Sequence, residues 1–148
     1  MKNVLITGAT GGIGSSILKL FYDNKYNICA TGTNIDKLNE IEVNSNRKVK
    51  CIPCNFNDDL QIDNLVMQSI EYYGSTDILI NNAGITRDNL FLRMKDEEWN
   101  NVININLNAN YKLTKYILKG MIKSRWGRIV NISSDAAKIG NAGQANYV

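Results

Sequence analysis

A glycine-rich turn near the amino terminus constrains the fold most strongly. The apolar run Val4-Leu5-Ile6 leads directly into Thr7-Gly8-Ala9-Thr10-Gly11-Gly12-Ile13-Gly14. Glycine lets backbone N–H groups approach a bound anion closely, and the positive end of a following helix favours negative charge. A strand that turns through such a loop into a helix therefore predicts a cradle for the diphosphate of a dinucleotide.

The rest of the chain alternates short apolar runs with segments of helical periodicity. This alternation is typical of parallel strands joined by crossover helices, and 148 residues suit a single domain. We expect an α/β fold, a doubly wound Rossmann-type parallel sheet with the order 3-2-1-4-5. The predicted strands are 3–7, 27–32, 49–54, 77–80 and 128–132, and the predicted helices cover 12–24, a segment from 35, 58–73 and 95–124.

The helical periodicity also predicts which side chains face the sheet. In the first helix these are Ile13, Ile17, Leu18, Leu20 and Phe21. In the helix over 58–73 they are Leu60, Ile62, Leu65, Val66 and Ile70. The fifth strand would form an exposed apolar edge of the sheet.

Charge and composition exclude several classes of function. The net charge of +3 is spread over scattered lysines and arginines, which indicates solvated faces and no nucleic-acid surface. No secretory signal precedes the first predicted strand and no segment has the length of a membrane span, so a cytoplasmic location is expected. The partners expected are small molecules or proteins, with no nucleic acid and no membrane.

The pair Cys51-Ile52-Pro53-Cys54 has the spacing of a redox or metal site. It lies inside a predicted strand, where residues three apart point to opposite faces. The chain has three cysteines and no histidine, too few ligands for a closed zinc site. We expect buried, unreactive cysteines and no metal.

Four motifs occur in the order of a known family. Thr-Gly-x-x-x-Gly-x-Gly spans Thr7 to Gly14, and Asn81-Asn82-Ala83-Gly84 follows the fourth predicted strand. Asn106 interrupts the apolar stripe of the long helix, and Ser134 with Tyr147 follows the fifth strand. Together they resemble the short-chain dehydrogenase/reductase family, which implies an oxidoreductase that uses a nicotinamide dinucleotide.

The resemblance assigns cofactor-binding and catalytic roles. The cofactor-binding residues it implies are Gly8, Ala9, Thr10, Gly11, Gly12, Ile13, Gly14, Thr33, Asn55, Phe56, Asn82, Ala83, Gly84 and Tyr147. Reduction of a ketone places negative charge and then a proton on its oxygen. Ser134 would hydrogen-bond that oxygen, Tyr147 would protonate it, and Asn106 would bend the helix and hold a water on the proton path.

A phenol that acts as an acid near neutral pH must be tuned, because its ordinary pKa is about 10. In the family a lysine four residues after the tyrosine does this and also binds the nicotinamide ribose. That position lies beyond Val148, so we expect weak or no activity from a polypeptide of these 148 residues.

The cofactor preference is predicted from the end of the second strand. A carboxylate there would bind the ribose hydroxyls of NAD and repel the extra phosphate of NADP, whereas this chain has Thr31-Gly32-Thr33-Asn34. We therefore expect NADPH, with NADH still open. Many NADP-using relatives carry arginine at the position of Gly11, so the phosphate lacks one expected partner.

Within the family, the runs around Ile85-Thr86-Arg87-Asp88-Asn89 and Gly140–Tyr147 are similar to bacterial reductases of 3-oxoacyl thioesters on acyl-carrier protein. That similarity implies fatty acid biosynthesis and a homotetramer for the full-length enzyme, of which this chain resembles the amino-terminal part. Arg125 matches a basic residue that docks the carrier protein, although a lone exposed arginine near a helix end is equally expected. An acetoacetyl-CoA reductase, a non-catalytic dinucleotide-binding fragment and a subunit completed by a second polypeptide stay open.

Overall fold

A computed structural model describes residues 1–46 and 48–148. Within them the strands are β1 (Asn3–Ile6), β2 (Asn27–Gly32), β3 (Val49–Pro53), β4 (Ile78–Asn81) and β5 (Arg128–Asn131). The α-helices are α1 (Gly12–Asp23), α2 (Ile35–Asn44), α3 (Asp59–Tyr73), α4 (Asp96–Ile103), α5 (Ala109–Ser124) and α6 (Ala136–Ile139). A 3₁₀ turn covers Phe91–Arg93, and a π-helical segment, Asn104–Asn108, joins α4 to α5.

The strands form one parallel sheet in the order β3-β2-β1-β4-β5, which confirms the predicted fold class. In register, Val4 of β1 lies between Ile28 of β2 and Ile78 of β4. The chain runs outward from β1 through β2 to β3 and then returns to the other side of β1. Doubly wound sheets bind ligands at the carboxyl ends of the strands where this order reverses. The expected crevice therefore lies beyond the ends of β1 and β4.

Buried side chains cover both faces of the sheet, because successive residues of a strand point to opposite sides. Leu5 and Leu79 belong to a cluster with residues of α3 and α5. Val4, Ile6 and Ile80 belong to a second cluster, against which Ile17 of α1 packs. The central strands are apolar on both faces, and this explains why they are continuous apolar runs in the sequence.

The predicted inner faces of the helices are correct in their centres and wrong at their margins. Ile17, Leu18 and Phe21 of α1 pack against the core, whereas Ile13 and Leu20 are 62% and 63% exposed. With 3.6 residues per turn, Leu20 points about 100° away from that stripe. Leu60, opposite Ile62 on α3, is likewise exposed, and Ile70 lies at the margin of its stripe.

The edge strand β5 and the cysteines agree with their predicted environments. Within the described residues Ile129 and Val130 are 36% and 43% exposed, so β5 presents apolar side chains at this edge of the sheet. Cys29 and Cys54 are buried, Cys51 is half-buried, and all three are free thiols. Burial raises the pKa of the Cys29 thiol to about 12 and that of Cys51 to about 11, which keeps both protonated near neutral pH. Of the helices in the described residues, none is both long enough and apolar enough to cross a membrane.

Candidate active site

The glycine-rich loop turns tightly between β1 and α1. Gly8 has φ +63°, a conformation that L side chains rarely adopt, and a Cβ there would lie 2.9 Å from the Asn82 amide nitrogen. Gly14, buried in the first turns of α1, lies so close to the Gly8 carbonyl that no Cβ fits between them. The concave side of the loop is therefore free of side chains at these two positions, which suits a cradle for phosphate oxygens.

A set of hydrogen bonds fastens this loop to the end of β4. The Thr7 hydroxyl accepts the N–H groups of Asn82 and Ala83, both at 2.9 Å, and donates to the Ile80 carbonyl at 3.2 Å. The Asn82 amide donates to the carbonyls of Thr7 and Gly8 at 2.9 and 3.2 Å. Asn82 thus holds the base of the loop, and its backbone and that of Ala83 are held in turn by Thr7.

A cavity of about 390 Å³ lies next to the hydrogen-bonded junction between the glycine loop and β4. The predicted cofactor-binding residues that line it are Gly8, Thr10, Gly11, Gly12, Ile13, Gly14, Thr33, Asn55, Phe56, Asn82, Ala83 and Gly84. Every described residue that lines it is uncharged. The exposure of Ile13 follows from this position, because its side chain forms part of the wall of the cavity.

Ala9 occupies a different place from its neighbours in the loop. Its side chain is fully buried in the core, and its N–H donates to the Thr31 carbonyl of β2 at 2.9 Å. The loop is thereby fixed to β2 as well as to β4. Thr10 packs against the end of the same strand, since a Cβ on Gly32 would lie 2.8 Å from the Thr10 hydroxyl. Ala9 therefore packs in the core beneath the loop and holds the loop in place, while its neighbours line the cavity.

A second cavity of about 500 Å³ adjoins the first. The two share five residues, Ile13, Asn82, Ala83, Gly84 and Ile85. The second cavity is also lined by Ser133, Ser134, Asn106, Asn110 and Tyr147. All three predicted catalytic side chains consequently face one space, next to the predicted nucleotide groove.

Asn106 lies in the π-helical segment and clamps the loop that follows β4. Its side-chain oxygen accepts the Ile85 N–H and its amide donates to the Ile85 carbonyl, both at 2.9 Å. Such a π turn leaves helical carbonyls without their usual partners, and the Asn110 amide donates to the Asn106 carbonyl at 2.7 Å. The π-helical segment changes the helical pitch at Asn106, the residue at which the sequence predicts a bend.

Contacts with the loop after β4 hold the segment that carries Tyr147. The buried Asn146 donates to the carbonyls of Arg87 and Glu98 at 2.9 and 3.2 Å. The Asn89 N–H donates to the Gly143 carbonyl at 2.9 Å. The Glu98 carboxylate accepts the Lys95 N–H and the Asn89 amide, and these bonds lower its pKa. Tyr147 itself is half-buried at the wall of the second cavity.

Ser134 lies just after β5, where the Ser134 hydroxyl accepts the Ala136 N–H at 3.2 Å. A hydroxyl that accepts one bond still has its proton free to donate. Ser134 and Tyr147 thus belong to separate segments of the chain and line the same cavity.

Several residues that build the site were given no role of their own in the sequence prediction. Gly32, Ile85 and Ile105 line the first cavity, and Asn110 lines the second. Thr7, predicted only as the first residue of the glycine-rich turn, fastens that turn to the end of β4. Thr7 could have been found, because a threonine at the end of a buried strand requires a hydrogen-bond partner. Ile85 and Ile105 carry no local signal that separates them from core residues.

Comparison with known proteins agrees with this geometry. A family model described as short chain dehydrogenase matches residues 2–148. The chain belongs to the short chain dehydrogenase family. This short chain dehydrogenase is 42% identical over 146 residues to the 3-oxoacyl-[acyl-carrier-protein] reductase FabG of Vibrio harveyi and 40% identical to that of Escherichia coli. It is 39% identical to nodulation protein G of Rhizobium meliloti. Each match covers 99% of this chain and 60% of the relative.

Short chain dehydrogenases are oxidoreductases, and membership of the family implies a nicotinamide dinucleotide as the cofactor. The groove fits that group by its own structure. A Cβ on Gly8 would collide with the Asn82 side chain and a Cβ on Gly14 with the Gly8 carbonyl, so glycines at these positions allow the tight turn that lines the cavity. A diphosphate would lie at the amino-terminal end of α1, where the helix dipole favours negative charge.

Proposed function

We propose that residues 1–148 form one dinucleotide-binding domain that serves the reduction of a 3-oxoacyl thioester to the 3-hydroxyacyl thioester, in fatty acid biosynthesis, with NADPH as reductant. The observation that supports this most strongly is the adjacency of the two cavities. The nucleotide groove and the cavity lined by Ser134 and Tyr147 share the wall from Asn82 to Ile85. When bound, the reduced nicotinamide supplies a hydride to the ketone carbon.

The residues of the second cavity would handle the ketone oxygen. Ser134 donates a hydrogen bond to the oxygen while negative charge develops there, and Tyr147 donates the proton that completes the alcohol. Asn106 keeps the Ile85 backbone in place through its paired bonds. Asn146 fixes the backbone next to Tyr147 by binding two carbonyls of the facing loop and helix. Asn106 and Asn146 are positioning residues in this scheme.

The proposed preference for NADPH rests on the neutral lining of the first cavity. Thr33, at the end of β2, contributes a hydroxyl and no carboxylate. A carboxylate at this place would repel a phosphate on the adenosine ribose, whereas a hydroxyl donates to it. Asn55 and Phe56 line the same cavity and would flank the adenine.

The proposed carrier of the acyl chain is acyl-carrier protein, since the similar reductases are named for that substrate. Arg125 ends α5 in a left-handed conformation and is exposed, beside a cavity that it shares with Arg128 and Trp126. An exposed pair of arginines suits an acidic partner. The same proposal includes the homotetramer that the similarity implies for the full-length enzyme.

The first test measures nucleotide binding and not turnover. The family's lysine four residues after the tyrosine lies outside residues 1–148, so turnover by these residues is expected to be weak. NADPH fluorescence is titrated with the 148-residue chain and with the variants Ser134→Ala and Tyr147→Phe. Saturable binding by the unmodified chain and by Ser134→Ala is expected. No binding of NADPH or NADH to the folded chain would refute the proposal.

Turnover is followed as NADPH oxidation with acetoacetyl-CoA and with acetoacetyl-acyl-carrier protein. The rate of NADPH oxidation should fall by at least about 100-fold in Ser134→Ala and in Tyr147→Phe, which is the usual effect of removing one general acid or one oxyanion donor. The rate should be unchanged in Tyr116→Phe, which lies outside both cavities. Preference for the carrier-bound substrate should weaken in Arg125→Ala, whereas an equal rate with acetoacetyl-CoA would favour a CoA-linked substrate.

A further inference from the structure

We propose that Lys37 is the side chain through which the nucleotide groove selects a 2′-phosphorylated dinucleotide. This inference rests on the proposed function, because it concerns the same groove. The described residues that line this groove are all uncharged, although NADPH would bring a phosphate dianion to the end of β2.

The position of Lys37 is fixed by the start of α2. Asn34 caps this helix, and its side-chain oxygen accepts the Lys37 N–H at 3.0 Å. The cap holds Lys37 one turn from Thr33, which lines the first cavity. Leu38, the next residue, is buried and anchors the same turn to the core.

The Lys37 side chain reaches from α2 to the glycine loop. Its Nζ lies 3.5 Å from the Thr10 carbonyl, 27 positions earlier in the chain. Thr10 lines the first cavity, so the ammonium lies beside the wall of that cavity at Thr10. A contact of this length is weak, and an ammonium has three protons to donate. The group is therefore placed beside the groove with most of its hydrogen-bonding capacity unused.

Acidic neighbours do not occupy this ammonium. The three ion pairs found in the described residues involve Lys2, Lys19 and Lys112. Asp36 precedes Lys37 on α2, but successive residues of a helix point about 100° apart. The first turn of a helix also favours an anion, which adds to the attraction of a phosphate held near Thr33 and Lys37.

A phosphate and a hydroxyl would interact very differently with this group. The 2′-phosphate forms a charge-assisted hydrogen bond with the ammonium, whereas the neutral 2′-hydroxyl of NADH gains little from it. The charge of Lys37 should therefore change the affinity for NADPH and leave that for NADH nearly constant. Because Lys37 is exposed and only its backbone N–H takes part in the Asn34 cap, its side chain can be changed without disturbing the fold.

The experiment titrates the 148-residue chain with NADPH and with NADH, comparing Lys37→Ala, Lys37→Arg and Lys119→Ala. Lys119 is exposed on α5 and provides a control for the loss of one positive charge. We expect the Kd for NADPH to rise by about tenfold in Lys37→Ala, with that for NADH changed less than about twofold. Lys37→Arg should keep the preference for NADPH, and Lys119→Ala should leave both affinities unchanged.

The outcomes separate this inference from the proposed function. Equal losses for both nucleotides in Lys37→Ala, or no loss for either, would overturn the role of Lys37 while the groove remains a nucleotide site. An equal loss of NADPH affinity in Lys119→Ala would also overturn it, because a general charge effect would then explain the result. If the unmodified chain binds neither nucleotide, the proposed function fails and this inference fails with it.

Discussion

The hydroxyl of Thr7 accepts the backbone N–H groups of Asn82 and Ala83 at 2.9 Å, and the Asn82 amide donates to the Thr7 carbonyl at the same distance. These bonds join the ends of β1 and β4, which are neighbours in the sheet. Residues that follow the same two ends, Gly8 and Asn82 among them, line the first cavity. The shape of that cavity therefore depends on Thr7, which is not among the described residues that line it.

Thr7→Val tests this dependence. Valine has nearly the shape of threonine but leaves two N–H groups without an acceptor at a fully buried position. We expect the free energy of unfolding to fall by about 1–3 kcal/mol, measured by urea denaturation. Thr7→Ser keeps the hydroxyl and is the matched control, with a smaller loss from the missing methyl group. If Thr7→Val is as stable as Thr7→Ser, the hydrogen bonds of the Thr7 hydroxyl contribute little to the free energy of unfolding.

The two glycines at the start of α1 should respond oppositely to alanine. No atom of the described residues lies within 4 Å of a Cβ placed on Gly12, whereas a Cβ on Gly14 would collide with the Gly8 carbonyl. Gly12→Ala should stabilise the fold by about 0.5–1 kcal/mol through the higher helix propensity of alanine. Gly14→Ala should destabilise it by about 1–3 kcal/mol and abolish NADPH binding, because the loop must shift.

Thermal or urea unfolding of the two glycine variants, with NADPH titration of each, measures the difference. Similar stability in both variants would contradict the close approach of α1 to the loop. A normal NADPH affinity in Gly14→Ala would contradict the assignment of that loop as the diphosphate cradle.

The sheet was predictable because its strands are buried on both faces. A run such as Val4-Leu5-Ile6 has no polar side to expose, and the glycine turn after it fixed where the strand ends. The margins of the helices were not predictable, since Leu20 and Leu60 fit an apolar stripe in sequence yet lie outside the arc that the sheet covers. Asn106 was identified by its apolar surroundings, but its partner Ile85 lies 21 positions away and only the fold brings them together.

Stability at high pH should depend on Cys29. The pKa of its thiol rises from 9.0 to about 12 on burial, so the unfolded chain releases this proton at a lower pH than the folded chain. The stabilisation is complete below pH 9 and is lost as pH rises toward 12. In that window one such thiol lowers the free energy of unfolding by about 1.4 kcal/mol per pH unit.

Urea denaturation of the unmodified chain and of Cys29→Ala at several pH values measures this dependence. The variant should lose stability less steeply above pH 9, although Cys51 and Cys54, whose pKa values are also raised, keep part of the slope. At pH 7 the thiols are protonated in both the folded and the unfolded state. The difference in the free energy of unfolding between the unmodified chain and Cys29→Ala at that pH therefore measures the loss of packing alone. Identical slopes above pH 9 would show that Cys29 ionises without unfolding the chain.

The π-helical segment offers the sharpest test of a positioning role, because two of its three asparagines have different surroundings. Asn106 binds both backbone groups of Ile85, whereas the amide of the exposed Asn108 donates, within the described residues, only to the Asn104 side chain. Asn106→Ala should therefore release the loop after β4 and destabilise the fold by about 1–3 kcal/mol, and Asn108→Ala should change stability by less than about 0.5 kcal/mol. Hydrogen exchange of the Ile85 amide is the direct readout, since its N–H loses its acceptor in the first variant alone. Retained protection of Ile85 in Asn106→Ala would mean that another group holds this loop, and the second cavity would then keep its shape without the asparagine.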